Sequence, residues 1–401
     1  MISTLHLNEK SLLVILIVSH SSENILVNRN AYIGIAIVVI VAIAAAAYIS
    51  LNPSTTTPPT SSTTTSSTST TTTSSTSTTS GPKPEDTLVV YTTVDQQTFA
   101  PWQKVFEEKY PGTRIQFFTD TPGNIFTKIT TERAANKPTA DVVMISLSLQ
   151  LSLQNKGLLE QYNSPEAAAY PAIFKDSTGH WVAAMLLPML QVRNTALVPD
   201  SDVPHTVDQL VDPKWKGKDT IHDLTLGTVG TQYFATLKQY MGEQEWTSFM
   251  ERLATNVQPI RKAAFEDVIN PVASGEESIA LSVYMHDFLG TKNKGAPVAA
   301  FTIDGLPVLT SLLPVGVVTN ATHPVAARLF MDWILSKDGQ TMVGNSEVRI
   351  AARQDITAKY TLQTVLPGKT PDDLKIFPND DVVKNSATYK SYFTKLFTSQ
   401  P

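Results

Sequence analysis

The sequence predicts an α/β protein built on a parallel sheet with crossover helices, set behind an apolar segment and a Ser/Thr tract. Three observations lead there. Short β-branched and aromatic runs alternate with helix-period stretches from Thr87 to Ser148, an order that a parallel sheet with crossover helices satisfies. Cysteine is absent from the 401 residues, so disulfide staples, thiolate catalysis and Cys-based zinc sites are excluded, and the fold needs a large core of its own. From Ser54 to Ser80 only Pro58 and Pro59 interrupt serine and threonine, which leaves a globular part of about 320 residues after Gly81.

Residues 1–30 are a short N-terminal segment that reads as neither leader nor domain; a translation start near Val27 would leave a short basic leader. Ala31 to Leu51 is an uncharged run of 21 residues. At about 1.5 Å per residue it spans about 31 Å, enough for a hydrocarbon core. The reading is a transmembrane anchor at 31–51, with a cleaved signal as the rival, although a signal's apolar region is usually about 7–15 residues. Arg29 precedes the run and no Lys or Arg follows it closely, which places the C-terminus outside. Residues 52–86 form a disordered stalk, because serine and threonine cannot offset chain entropy by burial. Ser/Thr with Pro suits an O-glycosylated spacer or a bare linker. The expected location is therefore the cell surface, membrane-anchored, with the globular domain extracellular. Against 31 Lys+Arg stand 36 Asp+Glu, net −5. No basic stripe is present, so nucleic-acid binding is not expected.

Thr87 to Tyr91 reads as a buried strand. Gln96 to Tyr110 follows as a helix with Phe99, Trp102, Val105 and Phe106 on one face. Arg114 to Phe118 is a second strand, Asp120 to Asn124 a loop, Ile125 to Asn136 a helix, and Asp141 to Ile145 a third strand. Ligands of such sheets bind beyond the carboxyl ends of the strands. The loop residues there are Thr92, Thr93, Asp95, Thr121, Gly123, Ser146 and Ser148. A second unit begins after Gln191 to Asn194. Asp219 to His222 is a strand, and Leu226 to Gln232 opens a helix from Tyr233 to Tyr240. The hydroxyls of Thr228 and Thr231, with backbone N–H groups at a helix start, favour an anion. Ile279 to Tyr284 is another strand, followed by Met285-His286-Asp287. Val298 to Leu309 is a hinge crossing, Val315 to Thr319 a strand, and Pro324 to Leu335 a helix with Leu329, Phe330, Trp333 and Ile334 as its core face.

Five stretches in this order resemble periplasmic-type solute-binding proteins of ABC importers, in the branch that includes ferric-ion-binding proteins. They are Leu88 to Asp95, Pro138-Thr-Ala-Asp-Val-Val143, Asp212-Pro-Lys-Trp-Lys-Gly217, Ala273-Ser-Gly-Glu276, and the helix from Pro324 to Gln340 with Phe330, Trp333, Ser336 and Gly339. The anchor and Ser/Thr stalk resemble archaeal members in particular. The resemblance implies a two-lobed periplasmic-binding-protein-like fold of type II. Lobe 1 is expected at 87–191 plus 302–401 and lobe 2 at 192–301, with ligand clamped between them. It implies no enzyme activity and no cofactor. It implies a small-molecule or ion ligand and the permease and ATPase subunits as partners, with the protein itself a monomer. Iron-binding members use two adjacent tyrosines; here those positions fall near Met285 and His286, the early histidine ligand at Asp95 and the glutamate ligand at Ser146. Tyr284 and His286 remain candidate metal ligands, or Tyr284 packs in the cleft and His286 is a loop histidine. Arg261 is a candidate partner for an anion, or a surface charge. The expected cargo is a small polar or anionic solute or a chelated metal, with ferric iron proper as the alternative.

A membrane-anchored extracellular hydrolase is the rival of another class. No G-x-S-x-G elbow, H-E-x-x-H helix or Walker loop is present. His180, His205, His222, His286 and His323 show no close pairing in sequence. An adhesion protein fits the stalk but not the β/α alternation. Asn320-Ala-Thr322 is an N-glycosylation sequon.

Overall fold

The computed structural model describes residues 83–398. The N-terminal segment, the expected anchor at 31–51 and the expected stalk as far as Pro82 lie outside the described residues. Among the described residues no helix is long and apolar enough to cross a membrane. The stalk boundary expected at 86 falls too late, because Glu85 and Asp86 already belong to the fold. The Glu85 carboxylate accepts from the backbone N–H groups of Val325 and Ala326 at 3.3 and 2.8 Å. These are first-turn amides of a helix, which lack partners within it. The Arg114 N–H donates to the Asp86 carbonyl at 2.8 Å.

Strand β1 (Thr87–Thr92) pairs in parallel with β2 (Arg114–Thr119) and β3 (Val142–Met144). Helix α1 (Gln96–Lys109) crosses from β1 to β2, and α2 (Pro122–Ala134) from β2 to β3. Helix α2 begins three residues before the expected Ile125, since Pro122 occupies its first turn and Thr121 caps it. Helix α3 (Leu147–Asn155) follows β3. The thirteen-residue β4 (Val182–Asn194) then runs through the centre of the sheet.

The second half holds β5 (Asp219–His222), α4 (Val229–Met241), α5 (Glu243–Arg252), β6 (Ile260–Lys262), α6 (Glu266–Ser274), β7 (Ile279–Tyr284), α7 (Met285–Asn293) and β8 (Val298–Phe301). The chain returns along β9 (Val308–Val317), then α8 (Pro324–Leu335), α9 (Lys337–Asn345), β10 (Ile350–Ala351), β11 (Leu374–Ile376) and α10 (Ser386–Thr398). The sheet order is β2-β1-β3-β9-β4-β7-β5-β6, with β8 and β10 on β4 and β11 on β9. Strands β4 and β9 are antiparallel, from Val182 opposite Val315 to Pro188 opposite Thr310. Past Pro188, β4 pairs instead with β7 and β8. These two strands therefore tie the β1–β3 half to the β5–β7 half.

Two apolar cores hold this frame. In the first, Phe106 of α1 lies 5.4 Å from Phe330 and 5.2 Å from Trp333 of α8, ring centre to ring centre. Phe99 and Trp102 are fully buried there, but Val105 is 41% exposed and not on the core face. The second core gathers Phe234, Trp246 and Phe249 with Phe377, Tyr389, Phe393 and Phe397. Its members from Phe377 onward correct the expected lobe 1, which had included everything from 302 to 401. Trp246 of α5 meets Phe393 of α10 at 6.0 Å, so aromatic burial draws the C-terminal helix onto the second half.

Candidate functional site

Four helices of nine or more residues start around one cavity of about 580 Å³ between the two halves. From the first half come Thr121, Pro122 and Gly123 at the start of α2, and Ser146 and Ser148 at the start of α3. From the second come Thr228 and Val229 at the start of α4, and Tyr284 and His286 flanking the start of α7. The N-cap side chains Ser146, Thr228 and Tyr284 make no capping bond to their own helices. First-turn amides need an acceptor, and a negative group supplied by a ligand meets both that need and the helix dipoles. The residues lining the cavity include no Asp, Glu, Lys or Arg.

The second-half wall is aromatic. His222, the last residue of β5, stacks on Phe265 at 4.0 Å and 16°. Phe265 meets Tyr284 at 5.0 Å, and Tyr284 meets His286 at 5.0 Å and 23°. Burial, and then the positive charge of Arg349, push His286 down to about 3, so it is neutral at ordinary pH. Its Nδ1 is buried with no hydrogen-bond partner among the described residues. Burial, reinforced by Asp287, pushes the Tyr284 phenol up, so it stays protonated and available as a donor. Leu187 of β4 and Leu313 of β9 also line the cavity.

Thr93, Thr121, Gly123, Ser146, Ser148, Thr228, Tyr284 and His286 thus come together at this cavity. The other candidates do not. Thr92 is fully buried and its hydroxyl accepts from the Val94 N–H at 3.0 Å. Asp95 caps α1 through the Thr98 N–H at 2.8 Å and pairs with Arg349 at 2.6 Å. Thr231 sits inside the first turn of α4, where its hydroxyl donates to the Leu224 carbonyl at 2.7 Å. Arg261 lies 3.7 Å from Asp223 and over the Phe397 ring, away from the cavity. Helix α4 starts at Val229 rather than Tyr233, and Thr228, not Thr231, lines the cavity.

Sequence reasoning missed His222, Gln232, Phe265 and the aliphatic floor. The signal was available. His222 ends β5, and Ala263 to Phe265 follow β6 directly, so the carboxyl-end rule applied to the first sheet half would have reached both. For a metal, the lining offers one phenol, two imidazoles and no carboxylate. Ferric iron favours hard oxygen donors, so this donor set fits it poorly. Among the described residues no group of three or more His, Cys, Asp or Glu is placed to hold a metal ion. Asn320, the sequon residue, is exposed in the turn after β9.

Comparison with known proteins places this frame. An uncharacterized protein of Haemophilus influenzae is 29% identical over 312 residues, spanning 75% of this chain and 86% of that protein. Iron-bound HitA from Pseudomonas aeruginosa superposes with a TM-score of 0.65 at 19% identity, covering 77% of this chain and 99% of that one. The binding protein AfuA from Actinobacillus pleuropneumoniae, solved with exogenous fructose-6-phosphate bound, gives a TM-score of 0.62 at 24% identity, covering 78% and 99%. One fold thus serves both a metal and an organic phosphate among the similar structures. Residues 137–356 match the bacterial extracellular solute-binding protein family, more than half of the chain, and the protein belongs to that family.

Proposed function

We propose that this solute-binding protein of the ABC-transporter type captures a small organic anion in the cavity between its halves and delivers it to a membrane permease driven by an ATPase. The observation that supports the anion most is the convergence of four helix N-termini on a cavity whose lining carries no ionised side chain. Donors from both halves meet there, so a bound anion bridges them. Neutral His286 and the protonated Tyr284 add uncharged polar atoms to the same wall. The lobes in this reading are 87–191 with 302–376, and 192–301 with the C-terminal segment from Phe377. The protein acts as a monomer, held at the outer cell surface through residues 31–51 and the Ser/Thr tract, with Asn320 as a glycosylation site.

Thermal unfolding of the metal-stripped protein against phosphates, phosphonates, sulfonates, carboxylates, ferric salts, iron chelates and neutral sugars tests the reading. A ligand at 100-fold its Kd stabilises by about 2.7 kcal/mol. Stabilisation by an anion class, with no turnover of the ligand, is expected. Stabilisation by ferric salts alone would transfer the assignment to iron, and consumption of the ligand would transfer it to an enzyme.

A further inference from the structure

We infer that the solute carries a flat, unsaturated ring beside its anionic group, and that the ladder His222–Phe265–Tyr284–His286 selects that ring. The inference rests on the anion reading above and adds the body of the molecule to its charge. A cavity of about 580 Å³ is in the range that takes a drug-sized molecule, far more than a bare tetrahedral anion fills.

The four rings come from four separate places: the end of β5, the loop after β6, the end of β7 and the first turn of α7. Two local backbone features bring them together. A Cβ on Gly230 would stand 2.8 Å from His222 Nδ1 and 2.9 Å from its Cβ, so only glycine lets α4 approach that imidazole. Ser282 adopts φ +57° inside β7. There the register slips by one residue, Leu190 facing Val283 while Val192 faces Ala280, and this bulge re-aims the residues that follow, Tyr284 among them.

The two inner rings, Phe265 and Tyr284, have neighbours on both sides in the ladder. His222 stacks on Phe265 at 16° and His286 on Tyr284 at 23°, whereas the two inner rings meet at 45°, so each inner ring keeps aromatic surface on the cavity it lines. Aromatic edges carry positive partial charge and faces negative. Such a wall attracts a flat ligand ring edge-to-face or offset-stacked, and gives no such gain to a saturated ring with its C–H bonds outward. Leu187 and Leu313 of the paired strands add an aliphatic surface to the same cavity.

The test is isothermal titration of the purified full chain with phenyl phosphate, its saturated counterpart cyclohexyl phosphate, and inorganic phosphate, repeated with benzoate and cyclohexanecarboxylate. The phenyl or benzoate member is expected to bind at least about tenfold tighter than its saturated partner. Phe265→Leu and Tyr284→Leu, each verified as folded by circular dichroism, should shrink that ratio to about threefold or less whatever they do to absolute affinity, whereas Tyr284→Phe, which keeps the ring and removes the hydroxyl, should preserve it. Equal affinity for the flat and saturated members would overturn this inference and leave the anion reading standing. Failure of both anion series and of inorganic phosphate would overturn the anion reading, and the inference with it.

Discussion

Asp141 is fully buried and holds three groups at once. Its carboxylate accepts from the Val89 N–H at 2.7 Å and the His323 N–H at 2.9 Å, and meets His323 Nδ1 at 2.8 Å. It therefore locks β1, β3 and the entry to α8 together, and its place in the Pro138 to Val143 stretch is a scaffold role. Asp141→Ala leaves two part-buried amides without their acceptor at about 1–3 kcal/mol each, so a loss of about 3 kcal/mol in urea unfolding is expected, with ligand affinity retained in the folded fraction. A change in affinity without loss of stability would move Asp141 to the site. His286 makes the opposite kind of prediction. Burial first, then Arg349, hold it near 3 in the folded protein, against about 6.5 in an unfolded chain. Between those values the unfolded state binds the extra proton, so stability falls as pH drops from about 6.5 toward 3 and is fully present above that window. One proton limits the slope to about 1.4 kcal/mol per pH unit. Asp287, 3.6 Å from Nε2, and the stacked Tyr284 are the other titratable neighbours. In the unliganded protein, His286→Gln should narrow the stability gap between pH 7.5 and pH 4.5. An unchanged gap would show that the carboxylates alone carry the acid sensitivity.

At the scale of elements, the first three strands and two helices were legible because each carries its own period and punctuation. Strand β4 was not. It reads Val-Ala-Ala-Met-Leu-Leu-Pro-Met-Leu-Gln-Val-Arg-Asn and is buried along nearly its whole length. A strand covered on both faces loses the alternation that marks a half-exposed one, and Pro188 argues locally against a central strand. The recognisable motifs were legible for a related reason: most of them hold the frame. Asp212 caps the turn carrying buried Trp215, Gly275 closes α6 at φ +83°, and Gln340 bonds to the carbonyls of Ala184 and Ile334. The site is harder to read, since His222, Phe265 and Tyr284 meet only after two crossovers and a bulge. Helix α10 gave no signal for which half it joins, because its aromatic face suits either core. Phe393 now makes that assignment testable. It is fully buried against Trp246, and Phe393→Ala should cost about 3–5 kcal/mol, read as a lowered urea midpoint with an unchanged slope. A cost below about 1 kcal/mol would detach α10 from the second core.

On the scale of the whole molecule, the candidate ligand cavity and the connection between halves are the same place. Leu187 and Leu313 line the cavity from within the β4–β9 pairing, so a solute bound there would rest on the strands that join the two halves. Both strands carry proline in that stretch, Pro188 opposite Thr310 and Pro314 opposite Ala183. Each proline lacks the N–H that a ladder bond requires, and the register between β4 and β9 also slips between Ala183 and Met185. The pairing thus lacks ladder donors on both sides of the stretch that lines the cavity, which makes it the place where bending of one half toward the other would cost least. A ligand that touches both halves stabilises the closed form by its differential affinity, whereas one that binds open and closed forms equally shifts nothing. Small-angle scattering of the protein with and without a saturating ligand from the anion panel measures this directly. The radius of gyration is expected to fall on binding. Inorganic phosphate, too small to fill the space between the walls, is expected to produce a smaller change at equal saturation. A radius that stays constant while calorimetry reports full occupancy would rule out closure, and the β4–β9 pair would then be a rigid spine.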